Sequence, residues 1–92
     1  MPLLSVADAA IHLSRVPGWQ IEAGALVRTF QFADFRASLR FVNQVGELAE
    51  AAGHHPDIDI RYNRVHLSLV SHDEGGLTEK DFSLAVQTGK LL

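Results

Sequence analysis

Apolar residues recur along this chain with two different periods, and the switches between them mark out its elements. Between Asp34 and Gly53, the apolar positions Phe35, Leu39, Val42, Val45, Ala49 and Ala52 follow one another at steps of three and four, the period of one helical face. Asp34 stands where an N-cap is needed, and Gly53 where a left-handed residue commonly closes a helix. On either side the period falls to two. Trp19 to Ala23 alternates apolar with polar residues, Gly24 turns the chain, and Leu26 to Phe32 completes a predicted hairpin. Beyond Pro56, Ile58, Ile60 and Tyr62 alternate with Asp59 and Arg61 as a half-buried strand, and Val65, Leu67 and Leu69 alternate with His66 and Ser68. Asn63-Arg64 separates these two runs. Asn tolerates the positive φ of a tight hairpin, so this pair is the predicted second turn.

Helices are predicted at both ends. Ser5 to Val16 begins with the capping-box spacing of Ser5 and Asp8 and is stopped by Pro17-Gly18. After Gly75-Gly76, Thr78 and Asp81 form a second capping-box pair, with a possible staple between Leu77 and Phe82. Phe82, Ala85, Val86 and Gly89 continue as a C-terminal helix with a small, close-packing face. The predicted order is helix, two strands, helix, two strands, helix. That order predicts an α+β two-layer domain, a four-stranded antiparallel sheet with helices on one face, spanning residues 1–92.

Composition narrows the picture. A chain of 92 residues buries a limited share of its surface, which makes self-association a way to gain core. Net charge is −3 with the Lys and Arg residues dispersed, so the sequence gives little electrostatic support for nucleic-acid binding. There is no cysteine, which excludes disulfides and thiolate metal sites. The start, MPLLSVADAA, lacks the long apolar core of a signal peptide, and no stretch reaches membrane-span length. A cytoplasmic domain is the expectation.

The candidate chemistry lies in the histidines, of which there are five. His12 within a helix and His66 within a strand read as structural or surface residues. His54 and His55 instead follow a helix end, and His72 follows the fourth strand just before the Asp73-Glu74-Gly75-Gly76 loop. Rigid elements hold polar groups at such ends. Imidazole donates or accepts protons near neutrality, so several around one cavity suit a reaction needing an acid on one atom and a base on another. Glu50, four residues before His54, is placed to orient or charge-stabilise an imidazole. A metal set of His54, His72 and Glu50 is conceivable, but nothing in the spacing selects it, and adjacent side chains such as His54 and His55 point apart on extended backbone. The capping box accounts for Asp81. Tyr62 and Trp19 read as core aromatics, and Arg36 with Arg40 as a solvated face.

Taken together, Glu50, three residues, His54-His55-Pro56, five residues, Tyr62, nine residues, His72, eight residues, then Asp81 resembles the signature of the pterin-4a-carbinolamine dehydratases. Trp19 after Gly18, the Phe-rich run from Phe30 to Phe41, Tyr62-Asn63 and Gly76-Leu77-Thr78-Glu79 extend the resemblance over nearly the whole chain. Some members carry Trp two residues after the motif proline, where this chain has Ile58.

The resemblance implies the same sheet-and-helix fold, assembled as a homodimer or homotetramer. It also implies conversion of a 4a-hydroxytetrahydropterin (4a-hydroxytetrahydrobiopterin in the family name) to quinonoid dihydropterin and water, within tetrahydropterin recycling. An acid protonates the departing 4a-oxygen and a base takes the ring proton, with no cofactor and no metal. By resemblance His54 and His72 are the acid/base pair, His55 binds and orients the pterin, and Glu50 holds that set. Gly53, Ser71 and Asp73 would line the polar pterin edge beside the histidines. The alternative function is a non-catalytic dimerisation or assembly partner on the same scaffold. Its discriminating feature is that all the motif histidines and Glu50 stand in one chain.

Overall fold

The computed structural model describes residues 2–92. Its elements run α1 (Val6–Leu13), β1 (Gln20–Glu22), β2 (Ala25–Gln31), α2 (Phe35–Ala52), β3 (Asp57–Arg61), β4 (Arg64–Leu69) and α3 (Glu79–Gly89). The strands form one antiparallel sheet in the order β1-β2-β4-β3, so each hairpin contributes one central and one edge strand. This is the predicted α+β order. Alternation decides which face is covered. Leu26 and Phe30 of β2 and Val65, Leu67 and Leu69 of β4 are buried with Phe41, Val45 and Ala49 of α2 and Phe82, Leu84 and Ala85 of α3. The opposite face carries Thr29, whose hydroxyl bonds His66 at 2.8 Å, beside Asp59 on the edge strand.

The caps act where the sequence places them. Ser5 accepts from the Asp8 amide at 3.0 Å, and Asp34 from the Ala37 amide at 2.8 Å. The capping box of Thr78 and Asp81 is complete. Leu77 and Phe82 are both buried in the core, as a staple there requires. The first helix is shorter than its pattern predicts. It ends at Leu13, and the amides of Arg15 and Val16 bond back only three residues, tightening the chain toward Pro17.

Three expectations are corrected. The second turn is Tyr62-Asn63, because Arg61 pairs with Arg64 and leaves those two residues as the loop. Asn63 is clamped to Phe32, its carbonyl accepting at 2.8 Å and its side-chain amide donating at 3.1 Å. The positive φ of 52° therefore falls on Tyr62, which is 65% exposed and is no core aromatic. Along α2, the buried stripe is Ser38, Phe41, Val45 and Ala49; Phe35 and Leu39 are 46% and 40% exposed on the neighbouring stripe. Finally, the predicted small face of α3 packs only in part: Phe82 and Ala85 are buried, whereas Val86 is exposed.

Candidate active site

Two segments distant in sequence meet at one end of the sheet. The first is the C-terminus of α2. Gly53 takes φ 62° and ψ 30°, its amide bonds back to Ala49 and Glu50, and the His54 amide donates to the Ala49 carbonyl at 3.1 Å. That left-handed closure fixes the direction in which His54 and His55 leave the helix. The second is the turn after β4. Ser71 pairs with Gly76 across an isolated antiparallel bridge, and the amides of Glu74 and Gly75 also bond the Ser71 carbonyl. His72 and Asp73 therefore sit on a tightly bonded loop.

Between the segments lies a cavity of about 240 Å³, whose lining includes Gly53, His54, His55, Ser71, His72 and Asp73. Every predicted site residue except Glu50 borders it. Glu74 and Lys80 line it as well, and the sequence reading missed both. Glu50 pairs with His55 through Oε2 and Nε2, both side chains being well exposed. It does not join His54 and His72, and among the described residues no group of three His, Asp or Glu side chains comes together to hold a metal ion.

His54 has a different partner. Its Nε2 lies 2.6 Å from Oδ1 of Asp81, a carboxylate that is fully buried, while the imidazole itself is 13% exposed. The other oxygen of Asp81 accepts from the Ser71 hydroxyl at 2.9 Å and from the Thr78 amide at 3.0 Å. Ser71 gives its only hydroxyl proton to Asp81, so the 2.8 Å bond between the two hydroxyls has Thr78 donating to Ser71. With Nε2–H donated to Asp81, Nδ1 is the nitrogen of His54 left for a ligand. The His72 carbonyl accepts from the Gly75 amide at 3.1 Å, but its imidazole makes no hydrogen bond to any described residue, and that exposed ring lines the same cavity.

Asp81 is thus both a helix cap and the partner of His54, whereas the sequence reading assigned it the cap alone. A signal was available. Helical spacing puts Asp81 on one face with Leu84, Ala85 and Thr88, all buried, and a buried carboxylate requires more than one amide partner. Ser71 is reassigned similarly: it borders the cavity, but its hydroxyl is engaged below it. His12 and His66 keep the structural roles expected of them, His12 stacked on Phe82 at 5.2 Å and His66 on the open sheet face.

Residues 2–91 match the family described as pterin 4 alpha carbinolamine dehydratase. A Chloroflexus aurantiacus protein bearing the pterin-4-alpha-carbinolamine dehydratase name is 56% identical over the whole of this chain and 99% of its own. One from Acidobacterium capsulatum is 59% identical over 88% of each chain. The crystal structure of a transcriptional coactivator/pterin dehydratase from Brucella melitensis superposes with a TM-score of 0.93, at 33% identity and covering 97% of both chains. A pterin dehydratase-like protein identified as a RuBisCO assembly factor of the alpha-carboxysome shares the fold, with a TM-score of 0.66 at 23% identity over 79% of this chain and 84% of its own. A family match over nearly every residue, joined to close relatives of the same length, leads to one conclusion: this chain belongs to the pterin 4 alpha carbinolamine dehydratase family.

Proposed function

We propose that the protein is a 4a-hydroxytetrahydropterin dehydratase, releasing quinonoid dihydropterin and water. The observation that carries this reading is the convergence of His54, His55 and His72 on one cavity, with a buried carboxylate holding the first of them. Family membership and the names of the close relatives support it.

The reaction removes hydroxide from C4a and a proton from N5, leaving a C4a=N5 double bond. Hydroxide is a poor leaving group, so the oxygen must be protonated as its bond breaks. His54 and His72 approach the cavity from opposite segments and would divide these two proton transfers between them. Asp81 holds the His54 ring so that Nδ1 faces the substrate, and it stabilises the imidazolium whenever that ring carries the extra proton. His55, steadied by Glu50, would orient the pterin, and Asp73 offers an acceptor for its amino and N–H edge. A placed acid or base is worth ~10²–10⁴-fold in rate.

The deciding experiment is a stopped-flow ultraviolet assay of 4a-hydroxytetrahydropterin dehydration with wild type and the His54→Ala, His72→Ala double variant. Acceleration by wild type that is lost in the folded double variant is expected. A wild type that fails to accelerate the reaction would turn the reading toward the assembly-partner function of the shared scaffold. A homo-oligomer in the cytoplasm fits the same reading. The exposed Phe35 and Leu39 on α2 offer the apolar surface for association with a second copy.

A further inference from the structure

Arg28 occupies a position that strand alternation assigns to the core. It stands between Leu26 and Phe30 along β2, on the face that those two bury, and its cross-strand partner is the buried Leu67. A charge in such a place ordinarily meets a carboxylate. Arg28 has none. Among the described residues it forms no ion pair, and its one hydrogen bond runs from Nη1 to the Pro17 carbonyl at 3.2 Å. The guanidinium is nevertheless held in place. Its Cζ lies 4.4 Å from the centre of the Phe30 ring, and it packs so closely on Gly18 that a Cβ there would come within 2.9 Å of Cζ. The bond to Pro17 uses one N–H donor of the fork; the others have no partner among the described residues.

Folding adds two more cations. A cavity of about 250 Å³ is lined by Arg15 from the turn after α1, Arg28 from β2 and Lys90 from the end of α3. Three of the chain's eight Lys and Arg residues thus border one space. Among the described residues no Asp or Glu lines it, although the chain has eleven and a net charge of −3. Neither Arg15 nor Lys90 has an ion pair among the described residues. Each of these two has an ordinary explanation alone. Arg15 is exposed, and Lys90 stands at the C-cap of α3, where a cation meets the helix dipole favourably. Arg28 has no such explanation, and the three together give the cavity a single sign of charge.

This lining selects the ligand. A guanidinium fork matches the paired oxygens of a phosphate or a carboxylate, and two further cations favour whichever anion carries more charge. That is the phosphomonoester, which is close to a dianion at neutral pH. Val16, Ala85 and Val86 set an apolar wall beside the cations, against which the carrier of the phosphate can pack. The volume lies below the range of about 300–1,000 Å³ common for drug-sized ligands, so the occupant is compact. No residue lining this cavity also lines the histidine cavity. We propose that it is a binding site for a small phosphomonoester carrying an apolar group, separate from the histidines. The proposal does not rest on the dehydratase reading.

The test is titration calorimetry of the full chain at low salt in phosphate-free buffer, with phenyl phosphate, benzoate and inorganic phosphate as probes. Phenyl phosphate is expected to bind about tenfold tighter than either of the others, since benzoate lacks the second charge and inorganic phosphate the apolar group. Arg28→Met should weaken it by about 10–100-fold, the scale of a hydrogen bond to a charged group. Should that variant fail to fold, the Arg15→Gln, Lys90→Gln double variant alters only exposed side chains and should still weaken binding by about tenfold. Arg36→Gln, Arg40→Gln removes as much charge from α2 and should leave the affinity unchanged. His54→Ala, His72→Ala should leave it unchanged as well. No binding of phenyl phosphate, or binding no tighter than that of benzoate or inorganic phosphate, would overturn the proposal. Equal losses in the α2 variant would reduce it to non-specific attraction, and a loss in the histidine variant would move the anion to the other cavity.

Discussion

Asp81 Oδ1 stands 2.6 Å from His54 Nε2, while Oδ2 of the same carboxylate accepts the Thr78 amide that begins α3. One fully buried side chain therefore sets the orientation of an imidazole at the end of α2 and the first turn of another helix. Ser71, one residue before His72, donates to that carboxylate too, so the two histidine-bearing segments are tied to a common anchor.

Replacing Asp81 by Asn separates its two duties. The amide oxygen can still accept from Thr78, but the amide nitrogen cannot accept the Nε2 proton of His54. Expected is a folded Asp81→Asn variant with kcat reduced by about 10²-fold and KM little changed, because the histidine is present in the wrong tautomer. Asp81→Ala removes the cap as well and should cost about 2 kcal/mol in urea unfolding. A normal kcat in the Asn variant would mean that the pairing serves the fold alone.

Gly53 gives a second handle on the same histidine. A Cβ there would meet nothing within 4 Å, so Gly53→Ala should be resisted only by the backbone, through the φ of 62°. The expected loss is about 1 kcal/mol in thermal or urea unfolding, with lower activity as His54 and His55 shift. No loss of stability would show that the turn relaxes readily to another closure.

The exposed apolar stripe of α2 makes a prediction about mass. A Phe35→Asp, Leu39→Glu double variant should elute as a smaller species than wild type in size-exclusion chromatography with light scattering. Both side chains are substantially exposed, so folding of the chain should survive. An unchanged mass, whether oligomeric or monomeric, would place association elsewhere or deny it.

Much of this molecule is legible from residue order, and its gaps have identifiable causes. The ends of α2 and α3 could be read because Asp34, Gly53, Thr78 and Asp81 act on neighbours within a few residues. The buried stripe of α2 could not be settled, since Phe35 and Leu39 continue one apolar row while Phe41 and Val45 belong to another, and periodicity does not say which faces the sheet. At the second turn, residue preference favours Asn63 for the positive φ. The long-range clamp to Phe32 overrides that preference and moves the strain to Tyr62. The three histidines were visible through their resemblance to a family signature. The link from His54 to Asp81 was not, because it spans 27 residues and exists only once α2 and α3 have packed.

The shared anchor also bears on cooperativity. Opening α3 would release the Thr78 cap, the Ser71 bond and the His54 orientation in a single step, because all three end on one carboxylate. The cavity is then no independently melting lid but part of the same cooperative unit as the helix beneath it. In this small chain, catalytic competence and completion of the fold become a single event.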